Sequence, residues 1–311
     1  MSKVVLTSLK SNSFSDLDIY KAVEKAVDKL NFDFNRSIQS VVIKPNLCYY
    51  WDASTGETTD PRLISAVIDY IRMKIGNNAN ITVAEADASA MKTRYSFKIL
   101  GIDKLCEKKN AKLTNLSEGD IIQTKVTVNG REMTLPINDV LLKADLIINM
   151  PKLKTHNFVG MTCALKNFFG AISKPRKYSY HGIISDVIVG VNKIVKSDIV
   201  IVDGLIVHGS GTKKLGAIIA SDDPLAIDFK AAEIMGFNPK TVNYLKLAKK
   251  EKVGNVDKIE LIEYNISLEA LKKAFPHHSF LLHKISWGLQ LKGIRTYAAL
   301  TGDVIPPFLE K

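Results

Sequence analysis

The residues of this chain best suited to chemistry collect in a few short segments. The densest reads PKLKTHNFVGMTCALKNFFG, from Pro151 to Gly170. Lys152 and Lys154, two positions apart, point the same way if the segment is extended. Lysines placed so neutralise phosphate or carboxylate groups, and a buried one can act as a base or an imine-forming amine because burial lowers its pKa. His156 follows, the side chain that most readily carries a proton near neutral pH. His156, Lys152 and Lys154 are therefore the candidate catalytic residues. Lys166 and Asn167, further along the segment, are candidates to bind the same ligand.

Four other segments carry matching chemistry. Lys44-Pro45-Asn46 adds a cation and an amide that can hold and orient an anion. Glu85-Ala86-Asp87 and Asp203-Gly204 supply carboxylates, so Glu85, Asp87 and Asp203 are candidate oxygen ligands for a divalent cation or acid/base groups. In His208-Gly209-Ser210-Gly211, the backbone around Gly209 and Gly211 can cradle an anion. This loop matches neither the Walker A motif nor the dinucleotide fingerprint. Asp60-Pro61 and Asp223-Pro224 read as helix N-caps followed by proline. Asp228, one turn on, serves its helix dipole or reaches back to the site. Cys163 sits among apolar residues and reads as a buried structural thiol, whereas Cys48 lies just past Asn46 and can approach the site.

The elements that must position these groups follow one rhythm. Strands are expected at Val4–Leu9, Val41–Leu47, Ile81–Asp87, Asp145–Met150, Asp198–Asp203 and Lys214–Ala220. Helices are expected at Ser15–Leu30, Pro61–Lys74, Gly182–Lys196 and Pro224–Met235. The strands are nearly continuous apolar runs, the pattern of strands covered on both faces. Their alternation with helices predicts a three-layer α/β fold with a mostly parallel sheet. In such sheets ligands sit beyond the carboxyl ends of the strands, which is where each polar segment falls. Asn129-Gly130 between two β-branched runs predicts a hairpin at about 121–137, as a flap or an antiparallel edge. Residues 1–265 form the expected core domain and 266–311 a helical C-terminal extension. Within that extension His283–Leu300 reads as a basic amphipathic helix docked on the core.

Composition narrows the function classes. The 311 residues carry a formal charge of +11, with 46% hydrophobic and 24% charged residues. The positive charge is spread along the chain with no run of five like charges, which argues against a nucleic-acid footprint and fits a small acidic ligand better. Three scattered cysteines without a C-x-x-C argue against a disulfide framework and against an intrinsic iron–sulfur cluster. Met1–Leu9 reads as a first strand rather than a signal peptide, and no apolar run reaches the length of a transmembrane helix. The expected compartment is the cytoplasm.

As a set, these segments resemble the family called domain of unknown function 362. The resemblance runs from the KPN exit at Lys44, through Asn149–His156, Ala164–Gly170 and Ile201–Gly211, to Asp-Pro-Leu-Ala-Ile-Asp at Asp223–Asp228. It spans roughly two-thirds of the chain. The family has no generally assigned activity, and many members are fused to ferredoxin-like iron–sulfur modules. This chain lacks their cysteine cluster, so a redox role implies a separate ferredoxin-type partner. The leading expectation is an enzyme or binding protein for a phosphate- or carboxylate-bearing small molecule. The alternatives are a non-catalytic accessory of an electron-transfer system and, third, a nucleic-acid binder.

Overall fold

A computed structural model describes residues 1–9, 14–34, 37–47, 49–89, 91–156, 158–277 and 296. Its strands are β1 (Ser2–Ser8), β2 (Ser40–Pro45), β3 (Asn80–Glu85), β4 (Lys112–Asn115), β5 (Ile121–Val128), β6 (Arg131–Asn138), β7 (Leu146–Met150), β8 (Lys152–His156), β9 (Gly160–Thr162), β10 (Ile199–His208), β11 (Thr212–Ser221) and β12 (Ile259–Glu263). Its helices are α1 (Asp16–Asp28), α2 (Pro61–Ile75), α3 (Thr93–Ile99), α4 (Ile102–Lys108), α5 (Asp139–Leu142), α6 (Ala164–Asn167), α7 (Ile184–Ile194), α8 (Pro224–Ile234), α9 (Asn243–Lys250) and α10 (Leu268–Ala274).

The main sheet runs β12-β1-β11-β10-β7-β2-β3-β4. Along this path only β11 opposes its neighbours, pairing antiparallel with β1 and β10. The carboxyl ends of β2, β3, β7 and β10 therefore share one edge. Alternate side chains along each strand serve opposite faces. Val41 and Ile43 of β2 enter one apolar cluster with Ile19 and Val23 of α1 and Leu63 and Val67 of α2. Val42 enters the other, with Leu165 of α6, Val187 and Val191 of α7, and Ile227 of α8. The result is a three-layer α/β protein with a mostly parallel sheet.

Local chemistry starts the helices where the sequence indicates. Asp60 accepts from the Arg62 N–H ahead of α2, and Asp223 accepts from the Leu225 and Ala226 N–H groups ahead of α8. In both, proline occupies the first helical position, where no N–H is needed. Ser15 caps α1 by accepting from the Asp18 N–H.

The hairpin forms with Asn129 and Gly130 both at positive φ, 51° and 76°, but it joins neither the main sheet nor the site. β5 and β6 make a separate two-stranded sheet. Val126, Met133 and Leu135 pack toward Gly190 of α7, where a Cβ would crowd Val126 and Met133 at 3.2 and 3.3 Å. The expectation of a flap or sheet edge is thus corrected: apolar residues on one face of the hairpin find their burial on a helix. Downstream, α10 docks with Leu271 and Phe275 in the core. His283–Leu300 falls outside the described residues, apart from Thr296. No helix among the described residues is long and apolar enough to cross a membrane.

Candidate functional site

At the shared strand edge lies a cavity of about 420 Å³. Of the residues singled out in the sequence, Lys44, Asn46, Glu85, Lys154, His156, Lys166, Asn167 and Gly209 line it. Lys152, Asp203, Asp87 and Gly211 do not line its wall.

The floor is built by β2 and β3. Lys44 Nζ lies 2.7 Å from Glu85 Oε2 and also donates to the Pro45 carbonyl at 2.8 Å. Both side chains are buried, and burial pulls the Lys44 pKa below its ordinary value despite the opposing pull of Glu85. Glu85 is held further by the Ala86 N–H at 3.0 Å and the Leu47 N–H at 3.2 Å. Gly170 passes over this pair. A Cβ there would stand 3.1 Å from both Lys44 Nζ and Glu85 Oε1.

Three asparagines tie the floor to α6. Asn167 donates to the Lys44 carbonyl at 3.1 Å and to Asn149 Oδ1 at 2.8 Å, and accepts from Asn46 Nδ2 at 3.2 Å. The amino end of α6 is held by Asp228, which accepts from the Ala164 and Leu165 N–H groups at 2.6 and 3.1 Å. Asp228 thus reaches across to the helix carrying Lys166 and Asn167 rather than serving its own dipole. Full burial raises its carboxyl to about 7. Cys163 is buried beside it, with its thiol pKa pushed up by burial and by Asp228. Cys48 lies outside the described residues.

The wall is formed by β8. After Met150, Pro151 ends the pairing of β7, and β8 continues alongside β10. Lys154 Nζ donates to Glu57 at 2.7 Å through the carboxylate and 2.9 Å through the carbonyl. His156 Nδ1 accepts from the Phe158 N–H at 3.1 Å. Burial first, then Lys166, Lys154 and His181, hold its pKa well below 6.5, so the ring is a neutral imidazole at physiological pH. Lys166 Nζ stands 4.8 Å from the centre of the Phe169 ring, a cation–π distance.

Lys152 lies beneath this wall. Its Nζ is 2.9 Å from Asp203 Oδ2, an ion pair rather than an aligned hydrogen bond, and both side chains are buried. Asp203 also accepts from the Asp60 N–H at 2.7 Å and the Leu205 N–H at 2.9 Å. The three candidate metal carboxylates accordingly face different lysines: Glu85 faces Lys44, Asp203 faces Lys152, and Asp87 faces Lys92 at 3.0 Å. Among the described residues no group of three or more histidine, cysteine, aspartate or glutamate side chains forms a metal site. The glycine loop is likewise committed: the Gly209 N–H donates to the Gly211 carbonyl and the Ser210 N–H to the Pro276 carbonyl. Those two amides therefore turn away from the anion-cradle arrangement expected of the loop.

The family model described as "Domain of unknown function (DUF362)" matches residues 41–233, more than half of the chain. The chain belongs to the DUF362 family. The thylakoid-associated protein sll1697 of Synechocystis sp. (strain ATCC 27184 / PCC 6803 / Kazusa) is 30% identical over 133 residues, which cover 39% of this chain and 41% of the relative. The aligned part thus spans about two fifths of that relative's length. A solved lactate racemase apoprotein from Thermoanaerobacterium thermosaccharolyticum shares 15% identity, with a TM-score of 0.40 over 69% of this chain and 53% of that one.

Every cavity residue discussed above falls within the DUF362 match. The match also contains ionisable cavity residues that sequence reasoning missed, Glu57 and Lys177 among them. Glu57 is delivered by a short turn whose Gly56, at φ 76°, packs against the Val207 backbone too closely for a side chain. Lys177 opens the turn Lys177–Ile183 and is buried against the cavity, where its Nζ donates to the Asp87 carbonyl. The only sequence signal for it is the run Lys174, Arg176, Lys177 with Tyr178, Tyr180 and His181. By composition that run reads as a solvated basic loop.

Proposed function

We propose that this DUF362 protein binds a phosphate- or carboxylate-bearing small molecule in the cavity at the strand carboxyl ends, as an enzyme or a binding protein of the cytoplasm. The observation that carries the reading is the imbalance of the cavity lining. Four lysines (Lys44, Lys154, Lys166 and Lys177) face two carboxylates, Glu57 and Glu85. An anion relieves the mutual repulsion of such a cluster. Asn46 Oδ1, Ser89 Oγ and Thr162 Oγ1 are buried in the cavity lining without a hydrogen-bond partner among the described residues, and they offer polar contacts to a ligand. The neutral His156 is the proton carrier of an enzymatic version of this reading.

A thermal-shift screen of phosphorylated and carboxylated metabolites tests it. A ligand at a hundredfold excess over its dissociation constant stabilises the fold by about 2.7 kcal/mol. A few compounds should give clear upward shifts, and Lys154→Ala and Lys166→Ala should reduce them. Small uniform shifts with every anion, removed by modest salt, would reduce the cluster to diffuse charge and end the proposal.

A further inference from the structure

Lys177 differs in its company from Lys44 and Lys154 of the same cavity. Lys44 is paired with Glu85 and Lys154 with Glu57. Lys177, 5% exposed, donates to the backbone carbonyl of Asp87 and makes no ion pair with a carboxylate among the described residues. Four charged groups act on it. Glu85 and Asp87 favour its ammonium form, while Lys44 and Lys166 oppose it. Burial opposes it most of all, and the pKa falls from 10.5 to about 7. Near neutral pH a share of the Lys177 side chains then carries a free electron pair on nitrogen, unlike an exposed lysine. A desolvated lysine without a counter-carboxylate, facing a cavity that gathers anions, has the features of a carbonyl-trapping nucleophile.

Deepening the anion-site reading, on which it rests, we propose that the Lys177 amine condenses with the carbonyl carbon of the bound anion, so that the ligand is an anionic aldehyde or ketone held as an imine. The nitrogen electron pair forms the new C–N bond while the carbonyl π pair moves to oxygen. Both hydrogens of the amine leave with that oxygen as water, and the C=N bond remains. No electrons are gained or lost. Lys154 and Lys166 hold the anionic group, which leaves Lys177 to react.

The test uses the intact protein with glyoxylate, a small anionic aldehyde, and sodium cyanoborohydride, which supplies hydride to fix the imine as a secondary amine. Peptide mapping by mass spectrometry reads each lysine. Near neutral pH, Lys177 should be modified at least about tenfold faster than any other lysine, because surface amines are almost wholly protonated there. Its rate should climb through about pH 7, whereas theirs climb only near pH 10. Modification of Lys177 no faster than of the surface lysines would overturn the inference. Lys177→Arg should lose the fast label. Thermal shifts without preferential labelling overturn the imine and leave the anion site standing; loss of both removes the site as well.

Discussion

Lys44–Glu85 and Lys152–Asp203 are nearly the same pair, a buried lysine against a buried carboxylate at the carboxyl edge of one sheet, and they differ in what lies beyond them. Behind Lys152 the protein is closed: Asp203 is saturated by the Asp60 and Leu205 N–H groups, and the pair holds β8 to β10 and to the start of α2. Behind Lys44 the protein opens, with Gly170 leaving the cavity space that a side chain would fill. The same chemistry is a sealed ion pair in one place and part of the proposed ligand site in the other. The difference teaches that a charged residue at a strand exit can meet a ligand only if the elements packed over it leave room.

The largest effect that would sharpen this contrast is the loss of Lys152. Lys152→Ala leaves Asp203 charged and sealed, and should destabilise the fold by about 3–5 kcal/mol. Urea unfolding reads the loss, and a change below about 1 kcal/mol would show that the sealed pair carries little. Lys44→Ala should cost less, about 1.5–3 kcal/mol, because solvent from the cavity can reach Glu85. It should also abolish ligand-dependent thermal shifts; equal destabilisation by the two variants would break the comparison.

The third effect is read in the pH dependence and concerns Lys177, which makes no ion pair with a carboxylate among the described residues. The unfolded chain keeps the Lys177 proton to about pH 10.5, whereas the folded chain releases it near 7. Between those values the unfolded state binds more protons, so this group makes stability rise with pH, by at most about 1.4 kcal/mol per unit. Below pH 7 both states are protonated and the cost of burying the charge is constant. Urea unfolding at about pH 7, 8 and 9 should show a shallower rise in Lys177→Met than in the wild type. Parallel profiles would mean that Lys177 titrates as an ordinary lysine.

Much of the fold was legible because it rests on local rules. The six apolar runs read as strands correspond to β1, β2, β3, β7, β10 and β11, and the four helical patterns to α1, α2, α7 and α8. The elements that escaped are short or of mixed polarity. β12, with the sequence IELIE, is half-exposed at the sheet edge. β8, with the sequence KLKTH, reads as a polar exit loop, yet tertiary pairing buries Lys152, Leu153 and Lys154. The asparagine-glycine turn was readable, but not the helix on which the hairpin lies. Glu57 and Lys177 were invisible for a related reason: neither sits at a strand exit, and each is carried into the cavity by a turn.

What the sequence by itself determined is where polar chemistry accumulates. Parallel strands joined by helices bring Lys44, Glu85, Lys154 and Asp203 to one edge, whatever the packing details. What only the tertiary structure decided is which charge meets which. The carboxylate of Lys44 lies 41 positions away, and Asp203 meets Lys152 through a strand register that no short-range pattern encodes. Pairing depends on distances between side chains of different elements, and burial on what covers them. Composition and spacing record neither, so they can name the lysines but cannot tell the sealed one from those that line the cavity.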